Sequence, residues 1–333
     1  MTGAKVPIQQ KQEAYVFKYP EFATLADQQL KIFWPWNEIK VEKDKQDLLV
    51  GMTESEYHAV VTALKLFTKY ELFVGNEYWL DRVMKNFPRP EIQRMAACFG
   101  HVELNSHAPF YNRINEELGL ATEEFYNSYV NDPVLKDRMD FIDSLVSHED
   151  DAISLAGFSM IEGAVLYSSF AFLKHFQSQG KNKMSNVCRG INMSVRDENL
   201  HSVGGAELFK QLVKERKLST EQAKDLETTI RELAKVVCEH EKRIVAMLFE
   251  KGKIEGITST QMEHFVESRV NTCLEQLGYK KEYDVKYNPI ADWFYDGINN
   301  FMMNDFFQGI GREYARGWDS TSFVWKGRNG LPV

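Results

Sequence analysis

Six side chains in this 333-residue chain are of types that bind cations and stand at spacings that could aim them at one point. Glu103 and His107 are four residues apart; Glu198 and His201 are three apart. Residues so spaced share a helix face, so each pair can present a carboxylate and an imidazole together. Glu71 and Glu162 add two more acids in apolar surroundings. Each of the four glutamates interrupts an apolar stripe: Val60, Leu64, Phe67, Glu71, Val74 and Tyr78; Ile92, Ala96, Phe99, Glu103, His107 and Phe110; Leu155, Phe158, Glu162, Leu166, Ser169 and Leu173; Val187, Ile191, Ser194, Glu198, His201 and Leu208. A buried carboxylate without a partner is costly, so it protonates, pairs or binds a cation. One such residue reads as a local salt bridge. Four on four stripes, two of them followed by a histidine one turn later, read as a metal site.

Four carboxylates and two imidazoles are the ligand set of ferritin-like di-iron and di-manganese carboxylate proteins. Hard oxygen donors with a few nitrogens suit iron or manganese; zinc takes fewer ligands and often thiolates. Two neighbouring cations need shared anionic ligands, which explains why acids outnumber histidines. His101, His148 and the run Glu239-His240-Glu241 lack a second ligand pair on an apolar stripe and read as structural or solvated.

The elements that must carry these residues are helices. Apolar periodicity predicts them over about 22–33, 53–86, 90–118, 150–179, 183–216, 219–251 and 258–278. Pro88 and Pro90, Asn131-Asp132-Pro133, Gly180-Lys181-Asn182, Gly252, Gly256 and Gly278 punctuate them. Ser219 and Gln222 form a capping box. Only Tyr283–Tyr287 alternates like a strand. Helices of about 30 residues far exceed the globular mean of about 12 and point to an all-α, long-helix bundle. No internal repeat or low-complexity tract divides the chain. The expectation is one domain over residues 1–333, with an extended N-terminal arm to about residue 20 and a C-terminal tail from about residue 315.

Composition narrows the function. Hydrophobic residues make up 44% and charged residues 26%, a soluble globular mix able to bury a large core. A net charge of −8 with no basic block argues against a nucleic-acid partner. Cys98, Cys188, Cys238 and Cys273 are widely spaced, as free thiols in a reducing cytosol would be, so the expected location is cytoplasmic. The polar start lacks a leader's apolar region. Ala156–Leu173 is nearly apolar enough to cross a membrane, but Glu162 within it marks a bundle core, so no membrane association is expected.

Several of these segments together resemble one family, the small subunits of class I ribonucleotide reductase. Arg196-Asp197-Glu198-Asn199-Leu200-His201 resembles its RDExxH motif. Ile161-Glu162-Gly163, with Leu166-Tyr167 and Ser169-Phe170 after it, resembles the segment of its other second-half glutamate. Glu71-Leu72-Phe73-Val74-Gly75 falls where the family has its first carboxylate; Glu103, His107 and Tyr111 resemble its glutamate, histidine and radical tyrosine. Ile32-Phe33-Trp34 resembles its early tryptophan and Asn288-Pro289-Ile290 its late turn; the likeness spans residues 20–300 or so. The resemblance implies a ferritin-like homodimer whose two metal ions react with oxygen. The pair would be Fe/Fe, with Mn/Fe or Mn/Mn as alternatives. The stored oxidant would pass to a catalytic large subunit that reduces ribonucleotides to deoxyribonucleotides.

On residue type alone Tyr111 is a core tyrosine and Trp34 core packing, and Asp197 could be an exposed charge paired with Arg196. The resemblance makes Tyr111 the radical residue, Asp197 the acceptor behind His107 and Trp34 a relay toward the metals. Three positions depart from the family's pattern. Its ExxH spacing becomes Glu103-Leu104-Asn105-Ser106-His107, which implies a π-bulge or a shifted histidine. Glu71 replaces the usual Asp, as in some relatives with a manganese–iron site. Ser194 stands where an apolar residue usually lies near the radical. The tail has no tyrosine after Tyr314, only Trp318, Phe323 and Trp325. A different oxygen-activating di-metal oxidase or oxygenase on the same fold is the alternative function; it would need a substrate channel, for which Gly157, Gly163, Gly204 and Gly205 could make room. Iron storage is a third, but would leave Tyr111 and Trp34 without a role.

Overall fold

A computed structural model describes residues 5–295. Helix start signals explain most element boundaries. Helix α1 is Pro20–Ile32, with proline in its first turn. Helix α2 begins at Glu54 under a capping box in which the Thr53 side chain accepts from Glu56 N–H and the Glu56 carboxylate accepts from Thr53 N–H. It runs as α-helix over Glu54–Phe73, π-helix over Val74–Val83 and α-helix again over Met84–Asn86. Helix α3 likewise joins Pro90–Val102, a π-segment Glu103–His107 and Ala108–Glu117. Helix α4, Pro133–Val146, was not expected from periodicity. Its start was legible: Asp132 accepts from Val134 and Leu135 N–H, and Pro133 takes the first helical position, where its missing N–H costs nothing.

Helix α5 spans Asp151–Gln177, with a π-segment at Ile161–Val165. It is apolar enough to cross a membrane, and that apolar stretch is wholly buried inside the bundle. Helix α6 is Ser185–Arg216, 32 residues bracketed by left-handed Met184 and Lys217. Helix α7, Thr220–Leu248, starts at the Ser219–Gln222 capping box, and α8, Ser259–Gln276, at a Thr258–Gln261 box. Helical residues follow at 289–295.

The long helices pack side by side, α6 on α5, α1 and α2 against α3, α7 against α5 and α8. One continuous apolar core runs through them, from Phe22 and Trp34 through Phe67, Phe99 and Phe158 to Phe265. Helix α6 can lie close because it carries glycine where α3 presses on it: a Cβ at Gly190 would stand 2.2 Å from the Phe110 ring. The N-terminal arm is fastened to the bundle. Ile8 N–H and the Tyr19 hydroxyl both donate to Glu215.

No strand occurs among the described residues, so the strand expected at Tyr283–Tyr287 is not formed. Its backbone finds another partner. Asn271 of α8 accepts from Glu282 and Tyr283 N–H and donates to the Tyr283 carbonyl, leaving no ladder for a second strand to complete. The C-terminal tail, with Tyr314, Trp318, Phe323 and Trp325, lies outside the described residues.

The α6–α3 approach yields a direct test. Gly190→Ala forces the buried Phe110 ring off its seat and should lower the unfolding free energy by about 1–3 kcal/mol, as overpacking does. Urea unfolding followed by circular dichroism measures it. An unchanged midpoint would show that the helices are free to separate.

Candidate metal centre

All six residues read from the sequence as ligands are buried and meet in the middle of the bundle. Glu71 comes from α2, Glu103 and His107 from α3, Glu162 from α5, Glu198 and His201 from α6. They fall into two overlapping groups: Glu71, Glu103, His107 and Glu198; and Glu103, Glu162, Glu198 and His201. Within each group the potential ligand atoms lie within 4.8 Å of one another. Glu103 and Glu198 belong to both, the arrangement shared carboxylates would need to bridge two cations.

Both imidazoles turn Nδ1 inward. His107 Nδ1 lies 2.8 Å from Glu103 Oε2, 3.3 Å from Glu198 Oε1 and 3.6 Å from Glu71 Oε2. His201 Nδ1 lies 2.7 Å from Glu103 Oε1 and 3.6 Å from Glu198 Oε2. Their Nε2 atoms face outward to acceptors, as metal-binding histidines require. His107 Nε2 sits 3.1 Å from Asp197 Oδ2, and His201 Nε2 3.2 Å from Gln29 Oε1. Asp197 is fully buried and not a surface charge; it accepts from Trp34 Nε1 at 2.7 Å and Gln29 Nε2 at 3.0 Å. Trp34, Asp197 and His107 thus form one hydrogen-bonded line to the cluster, and Ser106 Oγ donates to the Trp34 carbonyl to hold its start.

The extra residue between Glu103 and His107 is absorbed by a π-segment, which keeps both on the cluster. Two more π-segments were not foreseen. One begins three residues after Glu71 and one contains Glu162, so three of the four contributing helices are rewound at or beside their glutamate. Gly163 explains why the turn at Glu162 can sit so deep: a Cβ there would stand 2.4 Å from both Cys273 Sγ and Ser202 Oγ. Gln29 and Trp79 were also missed. Trp79 Nε1 donates to Glu162 Oε1 at 2.7 Å, from a position beside the stripe of α2 and not on it. His101, beside Asn105, and His148, beside Asp150, stay away from the cluster. Of the Glu239-His240-Glu241 run, Glu241 is buried, paired with Arg138.

Tyr111 is fully buried one turn beyond His107, its ring stacked on Phe67 at 4.3 Å. Phe67 in turn stacks on Phe170, so the three rings form one aromatic column. Burial pushes the phenol well above its usual range; Ser194 and Glu71 are among the polar groups acting on it. Three of the four glycines that might have opened a substrate channel, Gly157, Gly163 and Gly204, face space already filled; a Cβ at Gly205 would make only ordinary contacts, at 3.6 Å from Ser159. A Cβ at Gly157 would meet Leu145 at 2.8 Å and one at Gly204 would meet Phe99 at 2.7 Å.

The donor set fits a pair of divalent cations. Both oxygens of Glu71, Glu103 and Glu198, Oε2 of Glu162 and both Nδ1 atoms are buried without a well-formed hydrogen bond. Four carboxylates, two neutral imidazoles and two divalent cations sum to zero charge. Without cations the cluster neutralises itself with protons. Burial raises the Glu71 and Glu162 carboxyls well above the usual range, and the neighbouring glutamates raise them further. Burial opposes charge on Glu103 too, but His107 and His201 hold it well below that range. Burial works against a proton on His201, yet Glu103 and Glu198 push it up to about 9.

Cation binding must therefore expel protons, and the sign follows. Groups with raised values hold protons at neutral pH, so affinity should rise with pH toward about 9 and fall as acid returns them. Mn(II) titrated into the metal-free protein between about pH 6 and pH 8 should bind about tenfold tighter per pH unit for each proton released. A pH-independent affinity would mean that the cations bind elsewhere.

Residues 12–289 match the family model described as ribonucleotide reductase, small chain. The ribonucleoside-diphosphate reductase subunit beta of Halalkalibacterium halodurans is 27% identical over 316 residues, 91% of this chain and 87% of the relative. The ribonucleoside-diphosphate reductase small subunit of Dictyostelium discoideum is 25% identical, covering 91% and 86%. Among solved structures, a Bacillus halodurans protein described as a class I ribonucleotide reductase aligns with a TM-score of 0.74 at 24% identity, covering 85% of this chain and all of that one. Dimanganese(II)-NrdF of Streptococcus sanguinis aligns with the same score at 18% identity, covering 85% and 98%, and shares the fold. The family match spans most of the chain and includes every residue of the buried cluster, so the chain belongs to the ribonucleotide reductase small-chain family.

Proposed function

We propose that Glu71, Glu103, His107, Glu162, Glu198 and His201 ligate two metal ions, iron or manganese, in the small subunit of a class I ribonucleoside-diphosphate reductase. The convergence of six donors in two groups that share Glu103 and Glu198 carries this reading. The manganese in the Streptococcus sanguinis relative supports manganese as one choice. When bound, the metal pair supplies oxygen activation and the resulting one-electron oxidant. The chain's own residues do the rest. Asp197 fixes the His107 ring through Nε2, and Gln29 does the same for His201. Trp79 holds one oxygen of Glu162. The aromatic wall of Phe67, Phe110 and Phe170 keeps water from Tyr111, which protects an oxidised phenol from stray reduction.

Tyr111 would store the oxidant as a phenoxyl, its electron going to the metal-derived oxidant and its phenolic proton to a base of the same site. Trp34 and Asp197 form the route by which oxidising equivalents leave, toward a catalytic large subunit that reduces ribonucleotides. The working assembly is a homodimer of this chain with that subunit, in the cytoplasm. The described residues, 5–295, act as one helical domain, because both halves of the chain feed one cluster; the expected tail from about residue 315 lies outside them. The side chains pressed against Gly157, Gly163 and Gly204 disfavour the oxidase alternative, which needs open space beside the metals.

Tyr111→Phe removes no ligand and should leave two metals per chain while abolishing the tyrosyl signal in electron paramagnetic resonance after oxygen exposure. If the variant, with native metals and partner, reduces ribonucleotides at the original rate, the oxidant is stored elsewhere. If it loses metal as well, Tyr111 supports the site structurally.

A further inference from the structure

The π-segment that carries Glu162 is gripped by two buried guanidinium groups from different helices. Arg138 of α4 donates to the Val165 carbonyl, and Arg269 of α8 donates through Nε to the Gly163 carbonyl at 2.9 Å. Both arginines are nearly inaccessible to solvent. Their charges are balanced differently. Arg138 pairs with buried Glu241 at 2.8 Å, and Ser168 Oγ donates to that carboxylate. Arg269 meets no carboxylate among the described residues. It lies over the Tyr167 ring, 3.9 Å from the centroid, and donates through Nη1 to the Tyr295 hydroxyl at 2.8 Å.

Tyr295 belongs to the helical residues 289–295, which are seated on the bundle by several contacts. Asn288 Nδ2 donates to Ser268 Oγ at 2.7 Å. The neighbouring Phe294 packs on Phe265 and Tyr167, and its carbonyl accepts from buried Lys174 at 2.7 Å. A continuous line of contact therefore runs from this segment through Tyr295 and Arg269 to the backbone beside Glu162. Glu162 belongs to one donor group only, the one with His201; the group with Glu71 and His107 does not use it.

We propose that Arg269 and Tyr295 are positioning residues for Glu162, so that the seated segment 288–295 sets the affinity of the His201 half of the metal site and leaves the His107 half alone. The proposal rests on the two-cation reading above. Its physical basis is that a buried guanidinium held by a neutral phenol is aimed by geometry and not by a salt bridge. Loss of the phenolic oxygen lets the guanidinium turn, and the Gly163 carbonyl loses its fixed donor. Groups that orient ligands from behind change metal affinity by about 10–100-fold when removed.

The test uses the full chain, metal-free, titrated with Mn(II), alongside hydrogen–deuterium exchange at the amides of residues 161–166. Tyr295→Phe deletes one oxygen and keeps the ring, so the fold is retained; Arg269→Lys is the stronger variant. Both should weaken one of the two binding events, by about tenfold or more for Arg269→Lys, with the other event within about twofold of wild type. Glu162→Gln should weaken the same event. Exchange at residues 161–166 should quicken in both variants before any metal is added. Equal weakening of both events, or unchanged exchange in both variants, overturns the proposal. A wild-type chain that binds fewer than two Mn(II) ions overturns the two-cation reading on which it stands, a result visible before any variant is made.

Discussion

Four carboxylates are buried together at the centre of this bundle, and everything around them answers to the need for compensating positive charge. Taking one carboxylate out of water costs several kcal/mol even after the protein relaxes. Four together cannot all stay ionised unless cations or protons join them. The shifts within the cluster follow that pressure: burial and the neighbouring carboxylates raise Glu71 and Glu162, while the imidazoles on either side lower Glu103 against its burial. Two divalent cations would replace those protons with fixed charge. A cluster this costly contributes little to folding, and its cost is offset by the large apolar core that surrounds it.

The helices are shaped to deliver the acids to one point. A straight α-helix aims side chains at a fixed angular step, and helices at fixed separation seldom bring six donors together unaided. The π-segments adjust that step at Glu103–His107, at Ile161–Val165 and after Glu71. Only α6 places its pair, Glu198 and His201, on unbroken α-helix, at the three-residue spacing a regular helix provides. Behind three of the six stands a polar group from another helix: Asp197 for His107, Gln29 for His201, Trp79 for Glu162. Asp197 and Gln29 are themselves hydrogen-bonded to each other, and Asp197 to Trp34, so both imidazoles are oriented from behind.

The helical class, the long elements and all six cluster residues were legible in the sequence because each leaves a local mark. Acids in apolar stripes and histidines one turn later need no knowledge of the partner helices. Helix α4 was missed although Asp132-Pro133 announced it, because its apolar face is short and looked like part of a break. The strand pattern at Tyr283–Tyr287 misled because alternation marks a strand only if a partner strand exists, and Asn271 had already taken those backbone groups. Gln29, Trp79, Phe67, Arg138 and Arg269 were not legible as parts of the site. Each acts across a packing contact with a distant segment, and nothing at its own position distinguishes it from core or surface. The π-segment at Glu103–His107 betrayed itself by one extra residue between two ligands; the one at Glu162 has no second ligand in its helix to count from.

Anomalous X-ray diffraction from crystals loaded with Mn(II) tests the central claim most directly. Two manganese peaks per chain are expected, one bounded by Glu71 and His107, the other by Glu162 and His201, with Glu103 and Glu198 touching both. A single peak, or peaks outside this cluster while the six side chains keep their places, would contradict the account.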